Sequence, residues 1–261
     1  MTNNRMPVVF VGHGSPMLAL DNNQITKEIA EVGHKIVENF GKPKGILAIS
    51  AHWYKGETYI QETEEPRQIY DMYGFPKELY EVKYPVKGNL ELSKKVQELL
   101  GDRVSVDNSW GIDHGTWTVL THMFPNADVP VVQLSVNSKL SSEEIFSIGK
   151  SIVPLRNEGY LIVASGNIVH NLRLIEWENP DGTPMAYEFN NYIIDALKRH
   201  DDDLVIHYKK HDNYRYSIPT KDHYLPLIYA LGAADGDKVE VFNNTCNLGT
   251  MAMTGFIFNE R

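Results

Sequence analysis

One cysteine, Cys246, is all that the chain contains. It excludes a disulfide framework within the chain and suits a reducing compartment, so the expected location is cytoplasmic. Positive charge is also scarce. The chain has 25 Lys and Arg against 34 Asp and Glu, a formal net charge of -9, with no basic run or stripe. Nucleic acid is therefore not an expected partner. No apolar run approaches the roughly 20 residues that a membrane-spanning helix needs. The start, Met1 to Met6, is polar and lacks the basic segment and apolar stretch of a secretory signal. No repeat, low-complexity tract or Pro/Gly/Ser-rich linker divides the chain. Residues 1–261 therefore read as one domain, a size that single α/β domains reach.

Short apolar runs occupy Pro7–Val11, Gly45–Ser50, Val129–Val136, Tyr160–Ala164, Lys238–Phe242 and Met251–Phe258. Most are continuous rather than alternating, as expected of strands covered on both faces. Between them, Ile25–Phe40, Leu90–Leu100, Gly115–Phe124, Ser141–Leu155, Pro184–His200 and Tyr224–Leu231 carry apolar residues at helical spacing. Ser141 with Glu144 three residues on predicts a capping box. Strands alternating with helices predict an α/β fold: a central, mostly parallel sheet flanked by helices, with the active site at the C-terminal ends of the strands. Gly56–Lys87, rich in Glu, Tyr and Pro, reads as a long excursion of the kind that lines substrate sites.

Ten histidines are present, and their placement carries the chemistry. His13 and His52 end the first two strand-like runs, and His170 follows the run Leu161–Ala164. His223 begins an apparent helix. Each alone is better explained by a structural hydrogen bond; together they can meet in one crevice beyond the strand ends. Imidazole is the commonest ligand of Zn²⁺ and also suits Fe²⁺. His34, His122, His200, His207 and His211 sit in helix-like or charged segments and read as solvated or packed. Gly12 and Gly14 allow a sharp turn around His13, but the pattern is too short for a phosphate loop. Ser15 is not in a nucleophile elbow, so a serine hydrolase is unsupported. Cys246 has no neighbouring motif and reads as a buried, inert thiol. Asp113 can cap the helix that opens at His114, or the pair can present an imidazole to a substrate.

Five blocks, in order along nearly the whole chain, resemble the class III extradiol ring-cleaving dioxygenases, in their 4,5-DOPA dioxygenase-like branch. They are Gly12-His13-Gly14-Ser15-Pro16, Ser50-Ala51-His52-Trp53, Gly111-Ile112-Asp113-His114-Gly115-Thr116-Trp117, Ser165-Gly166-Asn167-Ile168-Val169-His170-Asn171 and Pro219-Thr220-Lys221-Asp222-His223-Tyr224-Leu225-Pro226-Leu227. The resemblance implies one divalent ion per chain, with His13, His52 and His223 as ligands. It implies His170 as a fourth ligand or as the acid–base, and His114 as a second catalytic histidine. The implied reaction is O₂-dependent opening of a DOPA-like catechol. The implied metal is Fe²⁺ for ring cleavage, with Zn²⁺ able to occupy the same all-histidine set. A zinc hydrolase, or a non-catalytic metal-binding relative, would keep the same ligands. Ile218 stands where plant members of this branch often have a histidine. One of Tyr214, Arg215, Tyr216 and Lys221 is a candidate to hold a substrate carboxylate.

Overall fold

The computed structural model describes residues 5–260; residues 1–4, in the polar lead-in, and residue 261 lie outside the described residues. The strands are β1 Val8–Gly12, β2 Gly45–Lys55, β3 Tyr59–Ile60, β4 Ser105–Val106, β5 Val131–Asn137, β6 Tyr160–Gly166, β7 Lys238–Phe242, β8 Cys246–Asn247, β9 Met251–Ala252 and β10 Gly255–Asn259. Eight form one sheet in the order β4-β3-β5-β2-β6-β1-β10-β7, and β8 and β9 pair separately. The four middle strands β5, β2, β6 and β1 run parallel. Antiparallel partners join at either side, β3 on β5 and β10 on β1. The parallel centre matches the continuous apolar runs of these segments, which are covered on both faces.

The longer helices are α1 Gln24–Phe40, α2 Leu90–Leu100, α3 His114–Met123, α4 Ser142–Ser151, α5 Pro184–Lys198 and α6 Leu225–Ala234. Successive strand residues point to opposite faces. Val8, Phe10, Leu47 and Ile49 therefore pack with the apolar sides of α2, α4, α5 and α6. Val9, Val11, Ile46 and Ala48 pack with α1 and α3. The Ser141 capping box forms as expected: Glu144 N donates to Ser141 Oγ at 3.2 Å, and Ser141 N donates to Glu144 Oε2 at 2.7 Å.

Three expectations need correction. Ser141–Leu155 is not one helix: α4 stops at Ser151, and a separate turn begins at Pro154, whose ring cannot sit in a helix interior. Met251–Phe258 is two strands, β9 paired with β8 and β10 paired with β1 and β7. The break falls where Met253 crosses the end of β1, so close that a Cβ on Gly12 would lie 2.7 Å from the Met253 carbonyl carbon. The second strand does not end at His52 but runs on to Lys55, with a register irregularity against β5 between Ile49 and Tyr54. Its pairing with β6 nevertheless stops at Ser50, so His52 still lies beyond the shared ladder.

Candidate functional site

The ends of β1, β2 and β6 lie side by side, Gly12 opposite Gly166 and Ser50 opposite Ser165. His13 is the next residue after β1, and His52 stands two residues past Ser50. Gly14, at φ +61°, takes the left-handed turn that frees the chain after His13. His223 arrives from the other side, on the turn that leads into α6. Its carbonyl accepts from Asn167 N at 2.9 Å. A Cβ on Gly166 would lie 2.1 Å from that carbonyl oxygen, so only glycine lets this turn rest on the end of β6. His170 is held by its backbone, which donates to Ser217 O at 2.9 Å and bridges Met251.

Five imidazoles thus converge. His13 Nε2 is 3.0 Å from His52 Nε2. The His223 ring lies 5.2 Å from that of His13 and 5.0 Å from that of His52, centroid to centroid. His170 stacks on His223 at 3.6 Å, and His114 lies against His52 at 3.8 Å. One ligand nitrogen from each of His13, His52 and His114 falls within a common 4.8 Å. The five do not offer their nitrogens equally. Ser165 has one hydroxyl proton and donates it to Gly115 O, so at its 2.9 Å contact with His13 it accepts from Nδ1–H. His223 Nδ1 donates to the Asp222 carboxylate. In both rings the proton is on Nδ1 and the Nε2 lone pair is bare, the tautomer that a metal requires. His52 Nδ1 faces Asp71 Oδ2 at 3.7 Å, again leaving Nε2 toward His13. Two ligands about 2.1 Å from one ion stand roughly 3.0 Å apart at a right angle and roughly 3.4 Å apart at the tetrahedral angle. The 3.0 Å between the His13 and His52 nitrogens therefore fits a shared divalent ion.

Burial drives the His13 and His52 pKa values well below the ordinary imidazole range, and the neighbouring histidines push the same way. His170 is lowered to about 3, first by burial and then by His223. Protons therefore compete poorly for these rings. Asp113 does cap α3, accepting from Thr116 N at 3.2 Å. It is also the hub of a buried network, accepting from Ser50 Oγ at 2.6 Å, from Trp110 Nε1 at 3.0 Å and from Gln133 Nε2. Burial, reinforced by Asp71, raises its pKa to about 6. The residue that motif reading missed is Asp71, from the Gly56–Lys87 excursion. Its Oδ1 accepts from His114 N at 2.9 Å, and its Oδ2 lies 3.0 Å from His114 Nδ1, off the ring N–H direction. Only the reading of that excursion as site-lining pointed to it.

Above the imidazoles opens a cavity of about 240 Å³, with His52, His114, His170 and His223 on its floor and Phe75, Leu172, Ile175, Trp177, Leu248 and Met251 on its walls. Tyr214, Arg215 and Lys221 do not line it. They border a separate cleft with Arg173 and Lys209, while Tyr216 bonds Thr183 through its hydroxyl. His122 is packed, its Nε2 2.7 Å from Leu18 O, and His34 is exposed on α1. His207 pairs with Asp203 and Glu143, and His211 packs on Phe189 and Tyr192. Cys246 is buried, and burial pushes its thiol up to about 12, as suits an inert thiol.

Residues 7–259 match the family described as the catalytic LigB subunit of aromatic ring-opening dioxygenase. The chain belongs to that family. A 4,5-DOPA dioxygenase extradiol of Escherichia coli K12 is 40% identical over 244 residues, covering 91% of this chain and 89% of that protein. The protein of the same description from Beta vulgaris is 34% identical, with 95% of each chain covered. A crystal structure of an uncharacterized Escherichia coli K12 protein superposes with a TM-score of 0.85 at 34% identity, covering 98% of this chain and 100% of that one. LigB-family enzymes are metal-dependent extradiol ring-cleaving dioxygenases, and His13, His52 and His114 form a three-imidazole group able to hold a metal ion.

Proposed function

We propose that this enzyme opens a catechol ring beside one of its two hydroxyls, with Fe²⁺ as the working ion held through Nε2 of His13, His52 and His223. The observation that carries the reading is the set of three imidazoles whose Nδ1 sides face Ser165, Asp71 and Asp222, leaving their Nε2 atoms to a ligand beneath an apolar-walled cavity. When bound, Fe²⁺ supplies Lewis acidity toward the catechol oxygens and an electron path to O₂. The protein does the rest. The apolar walls exclude water and orient the ring plane. His170, neutral and facing the cavity, takes a catechol hydroxyl proton and later returns it; the anionic catecholate beside it raises its proton affinity for that purpose. His114, oriented by Asp71, contacts the oxygen on which negative charge develops. Since three neutral imidazoles leave the ion its full double charge, a dianionic catecholate is held well.

Zn²⁺ fits the same ligands and has no redox chemistry, so it should give a folded but inactive protein. A compartment that keeps Cys246 reduced, such as the cytoplasm, suits the chain. A zinc hydrolase would use the same imidazoles, but no contact at the site favours it over ring opening. The test is anaerobic loading with Fe²⁺ or Zn²⁺, then exposure to O₂ and a panel of catechols, with O₂ uptake and the absorbance of ring-opened product followed together. Uptake with Fe²⁺ alone is expected. Equal turnover with Zn²⁺, or ester or amide hydrolysis without O₂ uptake, overturns the proposal.

A further inference from the structure

The walls of the histidine cavity carry a second piece of information, about the arm of the substrate. Phe75 comes from the long excursion, Leu172, Ile175 and Trp177 from the segment after His170, and Leu248 and Met251 from the turn around β9. Apart from the histidines and Ser15, every side chain that lines it is apolar. Among the described residues, no Lys, Arg, Asp or Glu does so. Trp177 and Leu172 are 73% and 58% exposed, large apolar surfaces left in water at the mouth. An exposed apolar patch continuous with a binding cavity marks a place that a ligand covers. The cations that would pair a substrate carboxylate, Arg173, Lys209, Arg215 and Lys221, border the separate cleft.

We infer that Trp177 and Leu172, with Phe75, form the subsite for the ring substituent, and that this subsite selects a short alkyl or aryl arm over a charged one. The inference rests on the proposed catechol chemistry and names the substituent within that class. A DOPA-type ring enters in the same pose, but its ammonium and carboxylate groups lose part of their hydration against Trp177 and Leu172 and gain no charged partner there. An alkyl arm releases water from both surfaces instead. Each buried methylene strengthens binding about fourfold.

The test is calorimetric titration of the Zn²⁺-loaded full chain, under argon, with catechol, 4-methylcatechol, 4-ethylcatechol, 4-propylcatechol and DOPA. O₂ uptake by the Fe²⁺-loaded enzyme is then measured on the same series. Kd should fall about two- to fourfold per carbon, so that 4-propylcatechol binds roughly 10- to 60-fold more tightly than catechol, and more tightly than DOPA. KM should follow the same order. Trp177→Ala should flatten the ladder to less than about twofold per carbon, and Trp177→Phe should restore part of it. A ladder with no slope, a slope unaffected by Trp177→Ala and Leu172→Ala, or tighter binding of DOPA than of 4-propylcatechol overturns the inference while leaving ring opening intact. No binding by any catechol, with no O₂ uptake, overturns the proposed function and the inference with it.

Discussion

Replacing Asp222 with asparagine keeps shape but removes the charge that holds the His223 proton. In the folded enzyme His223 Nδ1–H donates to this carboxylate. Burial pushes the carboxyl up, but the hydrogen bonds it accepts, led by that from His223, hold it far below the ordinary range. A hydrogen bond to a charged group is worth about 1.5–3 kcal/mol, and a neutral one about 0.5–1.5 kcal/mol. The substitution should therefore forfeit about 1–2 kcal/mol of preference for the tautomer with Nε2 bare. At 1.36 kcal/mol per tenfold, metal affinity should fall by roughly 5- to 30-fold, near the range seen when partners of metal-bound histidines are removed. The assay is competition for Zn²⁺ against a chromophoric chelator at fixed pH, in a double-mutant cycle with His223→Ala. Asp222→Asn should weaken binding in the parent and have almost no further effect once His223 is gone. A loss of less than about threefold, or an equal loss in both backgrounds, refutes the reasoning and removes His223 Nε2 from the ligand set.

Other expectations follow from the same geometry. His170→Gln should retain most of the metal by elemental analysis and lower single-turnover ring opening by roughly 10²–10⁴-fold; metal loss as complete as in His223→Ala would make His170 a ligand and pass proton handling to His114. The metal-free protein should lose stability as pH falls below about 6.5. His13 and His52 are depressed in the folded state, so the unfolded chain binds protons first, and thermal midpoints measured between pH 7.5 and 5.5 should fall with pH. A flat midpoint over that window would contradict their burial as neutral rings. Gly166→Ala forces a Cβ against the His223 carbonyl, 2.1 Å away, and should cost about 1–3 kcal/mol, read in urea unfolding, together with weakened metal binding. Unchanged affinity would mean that the His223 turn is not seated by that contact.

The α/β class was legible because strands buried on both faces must be apolar throughout, and Val8–Val11, Ile46–Ile49 and Leu161–Ala164 are. Boundaries were less so. β2 continues past Ser50 because its neighbour β5 keeps pairing after the register shift, a fact about β5 and not about the local residues. Met251–Phe258 breaks in two because Met253 must pass the end of β1, a contact between residues some 240 positions apart in number. The Ser141 cap was readable since both of its partners lie within four residues.

At the site, sequence alone determined that His13, His52, His170 and His223 follow strand-like runs or open a helix, and that His114 opens another behind Asp113. Motif and order are local properties that survive without coordinates. Which nitrogen each ring presents was decided only by the tertiary structure. Ser165 is 152 residues from His13, and Asp71, from a segment without periodicity, reaches both His52 and His114. The apolar mouth is likewise assembled from Phe75, Trp177 and Leu248, which no spacing rule connects. The physical reason is common to both. A ligand histidine is recognisable by its own chemistry, but its tautomer and the polarity above it are set by groups that the fold brings from far along the chain.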